Sequence, residues 1–184
     1  MLMTCNVSDL NEAERLLAAL VHSQTTPAAV EILMGPSWQG DPALSEVWDD
    51  AAAPLLVVGL EGTEPEVEWM NGQLASEWRE LSAPRHTDIV GQQAQALWKL
   101  LAEFPQVGQP PMVLKASVVP SATTRWIDAV CSCDVNCSIQ AHAGNGVSIV
   151  QLSEFPSDGV TRMLIGQLRP AAAAHAGHVV VLSN

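Results

Sequence analysis

The segment Ala141-His142-Ala143-Gly144-Asn145-Gly146 puts an imidazole and a carboxamide at a glycine turn between two strand-like runs. An imidazole exchanges protons near neutral pH, and glycines let another group approach the backbone closely. The plainer alternative is a hairpin turn whose histidine is merely exposed or hydrogen-bonded, because Asn-Gly is a strong two-residue hairpin signal. As a phosphate loop the segment is weak, with no G-x-G-x-x-G after a strand and no Walker lysine. His142 and Asn145 are the candidate site residues of this segment, and the resemblance set out below implies a place for them near a substrate channel. Lys115, alone in the apolar run Met112 to Val119, is a candidate cavity-lining cation, which the resemblance set out below would turn toward an acidic substrate. A charge in such a strand sits at an edge or faces a cavity.

Three cysteines stand close together as Cys131-x-Cys133-x-x-x-Cys137, with Asp134 between them. That spacing does not match the C-x-x-C pairs of common zinc sites, so free thiols are the expectation. His175-x-x-His178 straddles Gly177 at a helix-to-strand junction instead of lining one helical face, and reads as structural or solvent-facing. Glu61, Glu64, Glu66 and Glu68 read as a solvated loop and helix start. Glu46, Asp49 and Asp50, flanked by Trp38 and Trp48, read as a polar loop surface with a partner contact as the lesser alternative. No G-x-S-x-G elbow, H-E-x-x-H pair or EF-hand loop is present.

The 184 residues are 48% hydrophobic and 15% charged, enough for a sizeable core. Eight Lys+Arg against twenty Asp+Glu give a net charge of −12, the wrong sign for a phosphate backbone, so a nucleic-acid partner is not expected. No apolar run approaches the ~20 residues that span a bilayer. The start lacks a basic n-region and a long apolar h-region, so the expected address is cytoplasmic, with any membrane association arising through partner subunits. Four cysteines then read as reduced thiols.

The elements that must position these residues follow from periodicity. A short apolar strand opens the chain, and Ser8-Asp9 with Glu12 caps a helix whose Leu10, Ala13, Leu17, Leu20 and Val21 share a face. Ala28 to Met34 reads as a strand, Gly35 to Ala53 as a loop, and Pro54 to Glu61 as the strongest buried strand. Thr63-Glu64-Pro65-Glu66 starts a helix running to about Leu81. A helix from Thr87 to Phe104 links two halves. From Pro111 the order restarts: strand Met112 to Val119, helix Ala122 to Cys131, strand Cys137 to Ala143, strand Val147 to Ser153, a helical stretch from Asp158 to Ala174, and a strand from His178 to Leu182. Pro170 is expected to kink or break that last helix against the carbonyl of Gly166.

Two passes through β-α-β-β-α-β, the first without a clear final strand, predict an α+β protein: a duplicated ferredoxin-like arrangement, an antiparallel sheet with helices packed on one face. The expected division is a first half over 1–84, a linking helix over 85–110 and a second half over 111–184. Both ends fall abruptly at strand-like runs, as in a piece of a larger protein.

The chain resembles the C-terminal cap domain of FAD-linked oxidases of the vanillyl-alcohol-oxidase and para-cresol-methylhydroxylase class, with the likeness running to the FAD-binding E subunits of bacterial glycolate oxidases. The residues that carry it are Glu12 to Leu20, Thr26 to Leu33, Leu56 to Gly62, Lys115 to Pro120 and Ala141 to Gly146, in the family's order. The resemblance implies a ferredoxin-like cap that covers the substrate side of a flavin in a 2-hydroxy-acid oxidoreductase. It implies FAD held mainly by an N-terminal FAD-binding domain that this sequence does not contain, and partner subunits bearing flavin and an iron–sulfur centre. The isolated chain is then expected to be inert. In the family's metal-using members a second histidine follows the first by seven residues, and a Glu-His pair lies downstream. Here that position is Ile149 and the pair is missing, so no metal is expected. The competing expectation, from another class, is a non-catalytic ligand-binding or assembly module built on the same tandem units.

Overall fold

The structure, a computed structural model, describes residues 1–39, 41–48, 52–83, 86–104, 108–155 and 159–183. It is an α+β fold around one eight-stranded antiparallel sheet, ordered β4-β1-β3-β2-β6-β7-β5-β8. The strands are β1 Leu2–Asn6, β2 Ala29–Met34, β3 Leu55–Gly59, β4 His86–Ile89, β5 Val113–Ser117, β6 Ser138–His142, β7 Val147–Gln151 and β8 His178–Ser183. Each half runs strand, helix, two strands, helix, strand. In each, the last strand is outermost, followed by the first, third and second. The halves meet where β2 pairs with β6, in the register Glu31↔His142, Ile32↔Ala141, Leu33↔Gln140 and Met34↔Ile139.

Helices α1 Leu10–His22, α2 Glu64–Glu80 and α4 Thr123–Cys133 cover the first face of the sheet. Their apolar stripes, including Leu16, Leu74, Trp78, Trp126 and Ile127, pack on Met3, Ile32, Leu56, Val58, Leu114 and Val150. The expected caps form: the Asp9 side chain accepts from Glu12 N at 2.8 Å, and Thr63 with Glu66 closes a capping box on α2. The final helical stretch begins as α5, Val160–Met163, widens into a π-helical turn over Leu164–Leu168, and resumes as α6, Arg169–Ala173, with Pro170 at its start. The π turn is the form the expected disruption takes, since wider winding accommodates a residue that has no N–H and crowds the preceding turn. Asp158, where that helix was expected to begin, lies outside the described residues, as do Asp49 and Asp50.

Two expectations are corrected. The helices do not all lie on one face: α3, Gly91–Glu103, packs on the second face together with the segment from Pro36 to Trp48. There Leu2, Leu33, Leu55 and Val57 meet Trp38, Leu44, Val47, Leu97, Leu101 and Phe104. Trp38 is 1% exposed, stacks on Phe104 with ring centroids 4.2 Å apart, and donates Nε1–H to the Ile139 carbonyl at 3.0 Å. Trp38 and Trp48 are thus core residues and are not free for the partner contact weighed for that loop. With both faces covered, all five residues of β3 are buried, as its unbroken apolar run requires.

The linking helix also starts later than Thr87. Residues His86–Ile89 form β4, which pairs with β1 (Leu2↔Ile89, Cys5↔His86) and supplies the final strand of the first half, beyond the expected boundary at 84. Val90 is extended and Gly91 has φ 60°, so the chain turns into α3 only there.

Candidate functional site

Strand alternation and register determine which side chains share the second face. One row across the sheet runs Thr4, Val57, Glu31, His142, Val147, Ser117 and His178, and the next runs Asn6, Leu55, Leu33, Gln140, Ile149, Lys115 and Val180. Helix α3 and the Pro36–Trp48 segment cover the β1–β3 side of this face. Toward β5 and β8, Lys115 and His178 are exposed and Val180 is 42% exposed. The polar residues stand at the border between the covered and open parts.

Glu31 is the centre of the group. Its carboxylate is 7% exposed and takes two contacts from the facing strand: His142 Nδ1 lies 2.8 Å from Oε1, and Gln140 Nε2 donates to Oε2 at 3.3 Å. Both cross the junction between the halves, because the β2–β6 register sets Glu31 opposite His142 and Gln140 diagonal to it. A buried carboxylate needs such partners. The imidazole is 36% exposed, and its hydrogen bond to Glu31 raises its pKa above the ordinary 6.5, against burial and the nearby Lys115 ammonium, which lower it. With Nδ1–H committed to Glu31, Nε2 is the atom left for other chemistry. The group can therefore hold a proton on an imidazole whose orientation is fixed by a carboxylate, beside a second cation.

The structure thus places His142 and Lys115 on one face and near enough for the lysine charge to act on the imidazole. It does not bring Asn145 to them. The Asn145 carboxamide oxygen accepts the Val147 N–H at 3.1 Å, bracing its own turn. Nor is the turn the expected two-residue Asn-Gly hairpin. Residues 143–146 form a four-residue loop in which the N–H groups of Asn145 and Gly146 both reach the His142 carbonyl. A type I′ turn needs positive φ at both central residues, and here Gly146 (φ 72°) has it while Asn145 does not. What approaches the glycine is the chain's own Val118–Pro120 segment: Gly146 O accepts the Val118 N–H at 2.9 Å, and a Cβ on Gly146 would lie 3.1 Å from Pro120 N and closer still to the Val118 carbonyl oxygen.

Glu31 and Gln140 are functional candidates that the sequence reading did not single out. The signal was a carboxylate inside the apolar strand Ala29–Met34, the same kind of anomaly that marked Lys115. The cysteines do not follow a metal pattern: Cys137 is buried, Cys131 and Cys133 are half-buried, and Cys133 donates to Gln167 Oε1 at 2.9 Å. Among the described residues no group of three or more His, Cys, Asp or Glu side chains comes together to hold a metal, and no helix is long and apolar enough to cross a membrane. His175 ends the α6 region and His178 begins β8, each apart from the Glu31 group in sequence and without a metal-type cluster. A scan against protein-family models finds no match, and a search of curated proteins finds none either.

Proposed function

We propose that the chain is the substrate-side cap of a FAD-dependent 2-hydroxy-acid oxidoreductase of the glycolate oxidase type. In this reading it is two ferredoxin-like units fused through β2 and β6, presenting the second face of the sheet to a flavin held by another domain. The observation that carries the reading is the Glu31–His142 pair beside Lys115 where that face opens. The repeated strand order of the two halves supports the tandem ferredoxin-like part.

The donor set suits the substrate side of a flavin and not its diphosphate, since the open face offers an imidazole, an amine and apolar surface, and the sequence has no glycine-rich phosphate fingerprint. FAD, when bound, supplies the hydride acceptor. This chain's residues do the rest. Lys115 meets the carboxylate of the acid. Neutral His142 takes the hydroxyl proton at Nε2, and Glu31 steadies the imidazolium that results. Glu31 is a positioning residue, acting through His142.

The test uses the enzyme that carries the flavin domain. H142A is expected to lower kcat/KM for glycolate or a related 2-hydroxy acid by about 10²–10⁴, the usual worth of a general base. K115A is expected to act mainly on KM. Unchanged turnover and affinity in H142A would favour the non-catalytic ligand-binding or assembly module instead. Bound FAD and glycolate turnover by the purified chain alone would overturn the division of labour between cap and flavin domain.

A further inference from the structure

We propose that β8 is the docking edge for a second copy of this chain, the two β8 strands pairing antiparallel about a two-fold axis so that the sheets continue into one another. β8 is outermost in the sheet and, among the described residues, pairs only with β5. An outermost strand turns the N–H and C=O of every second residue away from the sheet, where they need water or another strand. Sheets protect such edges with charge, proline or brevity. The opposite edge, β4, has that protection: it is four residues long, and His86, Thr87 and Asp88 leave Ile89 as its one buried residue. β8 does not. It is six residues long, His178-Val179-Val180-Val181-Leu182-Ser183, with no Asp, Glu, Lys, Arg or Pro.

The apolar residues of β8 are not accounted for by the chain's own core. Val179 is buried against the first face, whereas Val180, Val181 and Leu182 are 42%, 40% and 50% exposed. The exposure falls on both faces, since Val180 stands beside Lys115 on the second face and Val181 beside Leu114 on the first. A ligand or domain laid on one face would leave the other bare. A strand added along the edge covers both and satisfies the outward backbone groups at the same time.

Charge and register select a second copy as the occupant. The chain has a net charge of −12, but no Asp or Glu occurs from Gly159 to the last residue, and β5 has none either. The edge therefore meets its own image without carboxylates opposing one another, and an isologous contact of this kind closes at the dimer. Antiparallel pairing that keeps each face continuous sets residues of the same face opposite one another. With Val180 opposite Val180 of the second copy, Val179 lies opposite Val181 of the second copy. Both pairs are valine on valine, the β-branched match that stabilises cross-strand neighbours. Leu182 has no partner on β5, because Val113 pairs with Ser183 and Leu114 with Val181; this bulge ends the regular ladder and keeps the pairing short.

A short strand pair is a small interface, so the dimer of the full chain is expected to build up between about 10 μM and 1 mM, read by sedimentation velocity. Over the same range, hydrogen exchange read by mass spectrometry is expected to slow in β8 and to stay unchanged in β4. V180K sets two ammonium groups against each other at the two-fold axis and is expected to weaken the dimer at least ~10-fold. V21K makes the same change at a valine 80% exposed on α1 and is expected to dimerise as the parent does. Both variants are first matched to the parent by thermal melt, and the exchange measurement on the parent needs no variant. A chain that stays monomeric throughout, a V180K as dimeric as the parent, or an equal loss in V21K would overturn the proposal. Growth beyond the dimer would overturn it too, giving the β8 edge to β4 of the next copy. So would slowed exchange in β8 of a monomeric enzyme that carries the flavin domain, which would give the edge to that domain.

Discussion

The two glycines of the His142 turn differ in what surrounds them, and replacing each with alanine separates a packing role from an open one. Gly146 has φ 72°, a conformation that costs an L-residue roughly 1–2 kcal/mol. Its added Cβ would also press into the Val118 carbonyl and lie 3.1 Å from Pro120 N, backbone atoms that cannot swing away. Overpacking of that kind costs about 1–3 kcal/mol, so G146A should lose about 2–5 kcal/mol in all. Gly144 lacks the positive φ, and its Cβ would meet only the Val30 Cβ at 3.9 Å, an ordinary contact. G144A should therefore be neutral or gain about 0.4–1 kcal/mol by restricting the unfolded chain. Urea unfolding followed by tryptophan fluorescence gives both values, and at about 2–4 °C per kcal/mol for a chain of this size the melting temperatures should move in opposite directions or differ by several degrees. Equal losses in the two variants, or a G146A as stable as the parent, would refute the idea that Val118–Pro120 is what the motif's last glycine accommodates.

The charge state of His142 offers a second test. Its folded pKa is raised, so the stability it contributes is fully present below 6.5 and is lost as pH rises through the higher folded value. E31Q should lower the imidazole pKa and remove that pH dependence, while K115Q should raise it, both read by NMR titration of the ring protons. W38A should cost about 3–5 kcal/mol, as expected of a buried, stacked core ring, whereas W69A, at a side chain 53% exposed, should change stability by no more than about 0.5 kcal/mol in denaturant unfolding. The Ser148 hydroxyl is buried on β7 with no hydrogen-bond partner among the described residues, so S148A should be neutral or raise stability by about 1 kcal/mol, read from the urea midpoint.

Elements whose pattern is local were legible in the sequence, and those whose identity depends on a distant partner were not. The Leu55–Gly59 run declares a buried strand because every side chain is apolar, and α1 declares itself by cap and stripe. Strand β4 has a single buried residue, Ile89, whose spacing to Ala94, Leu97, Leu101 and Phe104 mimics one more helical turn; only its pairing with β1 makes it a strand. The Pro36–Trp48 segment has no period to detect, since its Trp38, Leu44 and Val47 reach the core from a 3₁₀ turn and irregular backbone. That hid the second covered face. His142 and Lys115 stood out by type and context, but Glu31 alternates with Val30 and Ile32 as a solvent-facing residue would, and only the strand laid beside it buries the carboxylate.

The Glu31 group also ties the candidate site to the union of the two halves. Either half alone would present β2 or β6 as a free edge, and Glu31 would then keep its water and lose both His142 and Gln140. Pairing the edges removes that water, which disfavours a carboxylate unless hydrogen-bond donors replace it, and the facing strand supplies them from two adjacent second-face positions. The donor that matters chemically is the half-exposed imidazole, because its partly open ring remains accessible after the carboxylate has been satisfied. A buried acid at the seam thus bears on two things at once: a one-residue slip between β2 and β6 is disfavoured, since it would turn Glu31 and His142 to opposite faces, and the imidazole there holds its proton more firmly than a free one.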